Sequence, residues 1–396
     1  MAGMVDAPSR AGRRAVFLSS VPPGPVLVVV PVLHRARAAG LAVRRAGPAL
    51  TGVVRDRPVC VLVVDGSADH DGRVGRAVHD PGGHRICDLL AMPGARWGEM
   101  VTAGLGHAQR IGASVAVLLD PDFMTGQDEP EDLRPETALG QAVSEVLRQR
   151  RLGAACVPVM VPWWQRLLTM HVLRPLCGPA LGFLPVDPAA RTVVLSPAAV
   201  AAALAPRWGI TRLGWQEGHG LGVLAATRHA GLDVVQVAPA GFDRDRPPPW
   251  SFVPERAVAI ELITAALGLA AANPAGEGRA VASWVEDHGR DAAVPARVLA
   301  QIRAECGEPA GIAPRGDAAG WPGPLIDAWH AARGGGSHLG LLAERVWLAY
   351  VARLRAWLRT TRSGLTGVAR ETVRAASIQF LAATGARVEP DAESPP

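Results

Sequence analysis

The chain is 396 residues long, 49% hydrophobic and 19% charged, enough apolar material for one large domain or two ordinary ones and too much for a disordered protein. Its formal net charge is +5, yet all 41 basic side chains are arginines, scattered rather than gathered into blocks interleaved with aromatics, so nucleic acid is not an expected partner. Arginine without lysine, with 34 prolines and 44 glycines, is what GC-rich coding produces, and it lowers what any single Arg, Gly or Ala can signify.

Residues 1–22 carry two arginines ahead of an apolar segment, but Pro22, Pro23 and Pro25 interrupt it, so the segment reads as a poorly ordered tail and not as a secretory leader. From 23 to 252, short aliphatic runs alternate with helix-spaced segments. The runs are VLVVVPVL from Val26, VCVLVV from Val59, SVAVLL from Ser114, AACVPVMV from Ala154, RTVVL from Arg191 and LDVVQV from Leu232. Such runs belong to strands buried on both faces. With helical patterns starting at Trp97 and Pro135, the expected fold is α/β with a mainly parallel sheet and ligands at the carboxyl ends of its strands.

After RDRPPPWSF the strand-like runs stop, and 253–388 reads as a helical C-terminal region ahead of a disordered tail at 389–396. It comprises PERAVAIELITAALGLAA, PARVLAQIRAE, HLGLLAERVWLAYVARLRAWLRTT and TGVARETVRAASIQFLAATG. In the third, Leu341, Leu342, Val346, Leu348, Tyr350, Leu354, Trp357 and Leu358 make a broad apolar face that packs on the α/β part or on a second copy in a homodimer. The longest weakly charged stretch, AVAIELITAALGLAAA, contains Glu261 and is too short for a comfortable membrane span. Cys60, Cys87, Cys156, Cys177 and Cys306 are odd in number and far apart, which suits reduced thiols and a cytoplasmic location.

The chemistry-bearing residues gather at strand ends. VLVVDGSADHDG places Asp65, Gly66, Ser67, Asp69, Asp71 and Gly72 directly after a buried run, where a turn needs such residues anyway. In PGARWGEM a Pro-Gly turn leads through Arg96 and Trp97 to Gly98 and Glu99 at a helix start, a seat for phosphate, although capping accounts for Glu99 equally well. VAVLLDPDF sets Asp120 and Asp122 one residue apart at a strand end, where unpaired carboxylates repel and resist desolvation. Mg2+ or Mn2+ held by the pair together with substrate phosphates would resolve that repulsion; a polar surface turn is the alternative. His219 in EGHGLG either orients an acceptor or is merely solvated. Trp163 and Trp164 either stack on a sugar or belong to core, and Arg244 with Arg246 could clamp an anionic acceptor.

The order of these pieces resembles the sugar-nucleotide half of the GT-A glycosyltransferases. PGARWGEMVTAGLGHAQRIGASVAVLLDPDF is similar to the glucosyl-3-phosphoglycerate synthases and their mannosylglycerate and glucosylglycerate synthase relatives, in which proline-glycine-lysine-glycine-glutamate, helix, strand and D-x-D follow one another. VLRPL (172–176) resembles their arginine-proline-leucine, and GWQEGHGLGVLAATRHAGLDVVQVAPAGF resembles their G-aromatic-x-x-E, G-L, helix, G-L-D and Q-V-x-L-G series. The tail helices LLAERVWLAYVARLRAWL are faintly similar as well.

The resemblance, covering most of 26–250, implies a GT-A, Rossmann-like fold with an all-helical C-terminal extension. It implies a retaining, metal-dependent transfer of a hexose from a nucleoside diphosphate sugar to a small hydroxylated acceptor, acidic or not. Carried over by position, it puts Asp120 and Asp122 at Mg2+ or Mn2+ and the diphosphate, Asp65 near the nucleoside, and Arg96, Gly98 and Glu99 at the donor. Glu217 becomes the catalytic carboxylate by the sugar or acceptor, after a one-residue gap; Arg174, in the matching VLRPL stretch, and His219 and Arg244, chosen on their own chemistry, are the candidates for the acceptor.

Three departures accompany it. The family's donor lysine is absent, leaving Arg96 to supply that charge from a shifted position with different geometry. The histidine that follows the Q-V-x-L-G strand as a metal ligand is absent, leaving Asp243 or Asp245. The acceptor stretch P-L-x-G-E-Y is replaced by FLPVDPAARTVVLSP, which argues against phosphoglycerate as acceptor. The rival reading is therefore a catalytically degenerate relative that binds a sugar nucleotide or acts as a scaffold. A nucleotidyltransferase is more distant, since the first strand, VVVPVLHRAR, lacks a G-x-G-x-R-style signature.

Overall fold

The computed structural model describes residues 24–54, 56–67, 73–78, 87–125, 134–160, 167–182, 184–185, 187–205, 219–237, 240–241, 256–272, 280–281, 320–335, 338–360 and 366–388. The tails at 1–22 and 389–396, the PARVLAQIRAE helix and the Trp163–Trp164 pair lie outside the described residues. The strands are β1 (Val26–Val32), β2 (Val59–Asp65), β3 (Cys87–Ala91), β4 (Val115–Leu118), β5 (Leu152–Cys156), β6 (Val159–Met160), β7 (Val193–Leu195), β8 (Asp233–Gln236), β9 (Ala240–Gly241), β10 (Ala280–Val281) and β11 (Arg387–Val388). The described helices are α1 (Ala36–Thr51), α2 (Arg73–Val78), α3 (Trp97–Arg110), α4 (Pro135–Arg148), α5 (Arg174–Leu181), α6 (Pro197–Leu204), α7 (His219–His229), α8 (Arg256–Ala272), α9 (Gly323–Arg333), α10 (Leu339–Thr360) and α11 (Thr366–Ala383).

Seven strands form one sheet in the order β3-β2-β1-β4-β7-β5-β8, an α/β architecture. Its neighbours pair in parallel except β7, which runs antiparallel to both β4 and β5. All seven residues of β1 are buried. Burying each Val or Leu contributes roughly 1.5–3 kcal/mol, so this stretch belongs at the centre of the sheet. Side chains alternate between two core clusters. Leu27, Val29, Leu62 and Val64 face one, with α3, α6 and α7; Val26, Val28, Val30, Val61 and Val63 face the other, with α1 and α4. The helix α3 lies unusually close to β1, because a Cβ on Gly104 would meet Val29 Cγ1 at 2.2 Å.

The C-terminal helices extend the first of these clusters. Ile263 and Leu267 of α8, Trp329 of α9, Tyr350 of α10 and Phe380 of α11 all join it, and α8 packs on α5 and α7. Arg256 of α8 is ion-paired with Glu344 of α10. Helices make up the described part of this region apart from β10 and β11, two-residue strands that pair in parallel. The buried face of α10 is narrower than its apolar spacing suggests: Ala343, Val346, Trp347, Tyr350 and Leu354 are buried, whereas Leu341 and Leu348 are each 60% exposed. No helix among the described residues is long and apolar enough to cross a membrane.

Candidate site at the carboxyl edge of the sheet

The chain leaves β1 toward β2 on one side and later enters β4 on the other, so the carboxyl ends of β1 and β4 form the crevice where open α/β sheets take their ligands. Three strand ends meet there. After β1 come His34, which adopts the left-handed region at φ 54°, and Arg35. After β2 comes Asp65-Gly66-Ser67, and after β4 comes Asp120-Pro121-Asp122, the last two opening a 3-10 turn over Pro121–Thr125.

Both acidic turns use one device. Asp65 Oδ1 accepts the N–H of Ser67 at 3.0 Å, and Asp120 Oδ1 accepts the N–H of Asp122 at 2.9 Å. An aspartate ending a strand thus satisfies the amide two residues on, which gives its local reason for being there. The two loops are tied together: Ser67 Oγ accepts the N–H of His34 at 3.0 Å, and the Gly66 N–H donates to Val32 O at 3.0 Å. Gly66 admits no side chain, since a Cβ would stand 2.6 Å from Ala95 O.

Asp122 Oδ2 accepts from Arg35 Nη1 at 2.7 Å, an ion pair across the crevice between the β1 and β4 ends. Behind it, Arg45 of α1 donates to Glu136 of α4 and to Met124 O, both at 2.5 Å, bracing the acidic turn from its rear. Asp120 is half-buried, and its N–H donates to Thr192 Oγ1 at 3.3 Å. Burial is the main cause that pushes the Asp120 carboxyl above the usual carboxylate range; the Arg191 charge opposes it and the Asp122 charge adds to it.

A second chain of contacts runs from Asp120 into the protein. Arg191 lies over the Trp97 ring with its guanidinium carbon 4.7 Å from the ring centroid. Buried Trp97 donates its indole N–H to Nε2 of His219, which is 0% exposed, at 3.1 Å. That bond makes Nε2 an acceptor, so the proton of neutral His219 resides on Nδ1. The α3 start is capped by Glu99, whose carboxylate accepts the Arg96 N–H at 2.8 Å; the Arg96 side chain is exposed and Gly98 is buried.

The structure therefore brings Asp65, Asp120 and Asp122 to one edge, with Trp97 and His219 on its inner side. Arg174 is elsewhere in kind: it is 1% exposed at the start of α5, with Nη1 3.2 Å from Met170 Sδ. Glu217, Asp243, Arg244, Asp245 and Arg246 lie outside the described residues. Among the described residues no group of three or more His, Cys, Asp or Glu side chains comes together as a metal cluster. A pair of hard carboxylates fits a cation that keeps waters and takes further oxygens from a substrate diphosphate, so Asp120 and Asp122 suit that donor set. Sequence reading missed Arg35, Arg191 and Thr192. The signal for Arg35 was its place directly after the first strand.

The chain is similar to the crystal structure of Mycobacterium tuberculosis glucosyl-3-phosphoglycerate synthase, at 17% identity and a TM-score of 0.42, over 63% of this chain and 81% of that one. It is similar to a second structure described as a mycobacterial protein, at 18% identity and a TM-score of 0.43, over 63% and 75% of the two chains. A further structure of the M. tuberculosis synthase, in complex with Mn2+, uridine diphosphate and glucosyl-3-phosphoglycerate, matches at 18% identity and a TM-score of 0.41, over 62% and 80%. No protein-family model matches the chain, and no curated protein matches it.

Proposed function

We propose that this chain is a cytoplasmic, metal-dependent glycosyltransferase of GT-A type. It moves a hexose, with retention of configuration, from a nucleoside diphosphate sugar to a small hydroxylated acceptor. The observation that carries this reading is the position of Asp120 and Asp122 at the crevice between β1 and β4, with Asp65 and Ser67 at the adjoining strand end. This is where an α/β sheet receives a nucleotide, and it is where the sequence resemblance expects the donor.

Asp120 and Asp122 would hold Mg2+ or Mn2+, which when bound supplies Lewis-acid neutralisation of the charge building on a departing diphosphate. Asp65, buried and fixed by the Ser67 amide, is the residue proposed to lie near the nucleoside. Front-side attack by the acceptor hydroxyl on an oxocarbenium-like sugar needs positioning more than a strong base. Glu217 is the carboxylate proposed to supply that positioning, and Asp243 or Asp245 the further metal ligand. The division into a donor and acceptor domain over 23–252 and a helical region over 253–388, which offers a face for a homodimer, belongs to the same proposal.

The degenerate relative is favoured by one specific observation: Asp122 is already paired with Arg35. The two readings part in a thermal-shift series with each nucleoside diphosphate, with and without manganese, followed by mass analysis of products from a panel of sugar donors. Metal-dependent stabilisation and a glycosylated or hydrolysed donor product are expected. Nucleotide binding indifferent to manganese, with no product from any donor, would favour the inactive relative; absence of nucleotide binding would remove the enzyme and leave of the rival only a scaffold.

A further inference from the structure

We propose that Trp97 and His219 form a positioning latch: their hydrogen bond fixes the start of α7, on the acceptor side of the site, to the start of α3, on the donor side. This rests on the reading above and adds to it two residues that act through their neighbours rather than on the substrates. The topology brings them together. Each of these helices leads the chain back to a strand that finishes at the carboxyl edge, α3 to β4 and α7 to β8, so both helices begin at that edge. The strand β7 runs the other way and begins there too, so the turn before it meets the two helix starts.

The three starts close around one bond. A Cβ on Gly220 would stand 2.4 Å from Ala190 O, so α7 begins directly on that turn, which the Asp187 carboxylate holds by accepting the Ala189 N–H at 3.1 Å. Trp97 and His219 are 122 residues apart in sequence, their side chains are buried, and their rings lie 5.8 Å apart at an inclination of 40°. Apolar contacts are non-directional, whereas a hydrogen bond sets both a distance and an orientation. Breaking this one would leave a buried indole N–H without its acceptor, so the two helix starts are held in one relation. From Trp97 the chain continues to Gly98 and Glu99, the donor candidates; Glu217, the carboxylate proposed to position the acceptor, stands two residues before His219 in sequence. Misplacing such a group by about 1 Å costs roughly a hundredfold in rate, so the latch governs turnover more than donor affinity.

The test compares the full-length wild type with H219F, W97F, H219Q and the double variant W97F/H219F, using whichever sugar nucleotide the wild type consumes. In H219F and W97F kcat should fall roughly tenfold to a hundredfold, with the donor KM changed by less than about threefold. H219Q, whose side-chain oxygen can accept in place of Nε2, should recover to within severalfold of wild type, and the double variant should be no slower than the slower single one, because the two residues act as a unit. A kcat in H219F equal to that of wild type, or an H219Q as slow as H219F, overturns the latch and leaves the glycosyltransferase reading standing. If wild type binds UDP, GDP or ADP with manganese but consumes no donor, hydrogen exchange decides. Binding should then slow the amides of 219–223 in wild type and H219Q but not in W97F, and equal slowing in W97F overturns the latch. Absence of nucleotide binding by wild type removes the latch together with the enzyme reading. W97F decides alone if the His219 variants do not fold, with unchanged kcat counting against the proposal.

Discussion

Among the described residues, the polar side chains at the carboxyl edge of the sheet and those at the seam with the C-terminal helices are held in opposite ways. At the carboxyl edge of the sheet, Asp120 and Arg191 are half-buried and Asp122 faces Arg35 with 41% of the arginine side chain exposed. At the seam between α5 and the C-terminal helices, His171 is 2% exposed, Arg174 1% and Tyr350 0%. His171 belongs to a π-helical turn, Thr169–Leu173, that runs straight into α5, and its ring packs between Trp321 and Tyr350 at centroid distances of 6.4 and 6.1 Å. Neither of its ring nitrogens finds a hydrogen-bond partner among the described residues. The contrast separates two uses of polar groups: where water and ligands reach them, their charges face one another across a gap, and where helices close over them, packing holds them.

Truncating the seam should have the largest effect. Tyr350→Ala is expected to cost about 3–5 kcal/mol in chemical denaturation, the range for deleting a buried aromatic ring. A loss below about 1 kcal/mol would mean that the seam is not held by packing. Next comes a pH effect from the same seam. Burial, aided by the Arg353 charge, lowers the His171 pKa from 6.5 to about 3. As the pH drops through that interval the unfolded chain takes up a proton that the folded one refuses, so stability is full above the interval and falls within it. His171→Leu should therefore be less acid-sensitive than wild type, by roughly 3 kcal/mol near pH 4, in denaturation midpoints compared with those at neutral pH. Equal pH dependence in the two proteins would break the contrast.

Smaller effects belong to the sheet edge. Gly104→Ala pushes α3 off β1 and should cost about 1–3 kcal/mol, the range for overpacking. Because Trp97 opens the same helix, weaker diphosphate binding by this variant would join site geometry to sheet packing. Arg35→Ala should change stability least, by about 0.2–1 kcal/mol for a partly exposed ion pair. It should also tighten manganese binding in titration of the full chain, because Asp122 loses its competing cation. Unchanged manganese affinity would mean that Arg35 does not compete for that carboxylate.

Most of the sheet could be read in the sequence because strands buried on both faces must be aliphatic throughout. That is why β1, β2, β4, β5 and β7 stand out as runs. The strand β3, CDLLA, does not, because it lies at the sheet edge with Asp88 and Leu89 exposed. The helix α1 is equally hidden: ARAAGLAVRRAGPALT carries Pro48 and blends into the Ala-, Arg- and Gly-rich background. The acidic residues of the edge were visible because they interrupt apolar runs. Arg191 was not, since it is one of 41 basic residues and only the reversal of β7 gives it a place beside Asp120. Strand direction leaves no mark in a run as short as RTVVL.

That reversal sets a rule for how the chain tolerates change. Side chains on a strand switch faces with every residue, so an insertion between Arg191 and Val193 would swing the arginine to the opposite side of the sheet while leaving β7 intact. Extra residues placed before Arg191 would be absorbed by the loop. Two positions of spacing, rather than the length of the loop, fix where this charge lands.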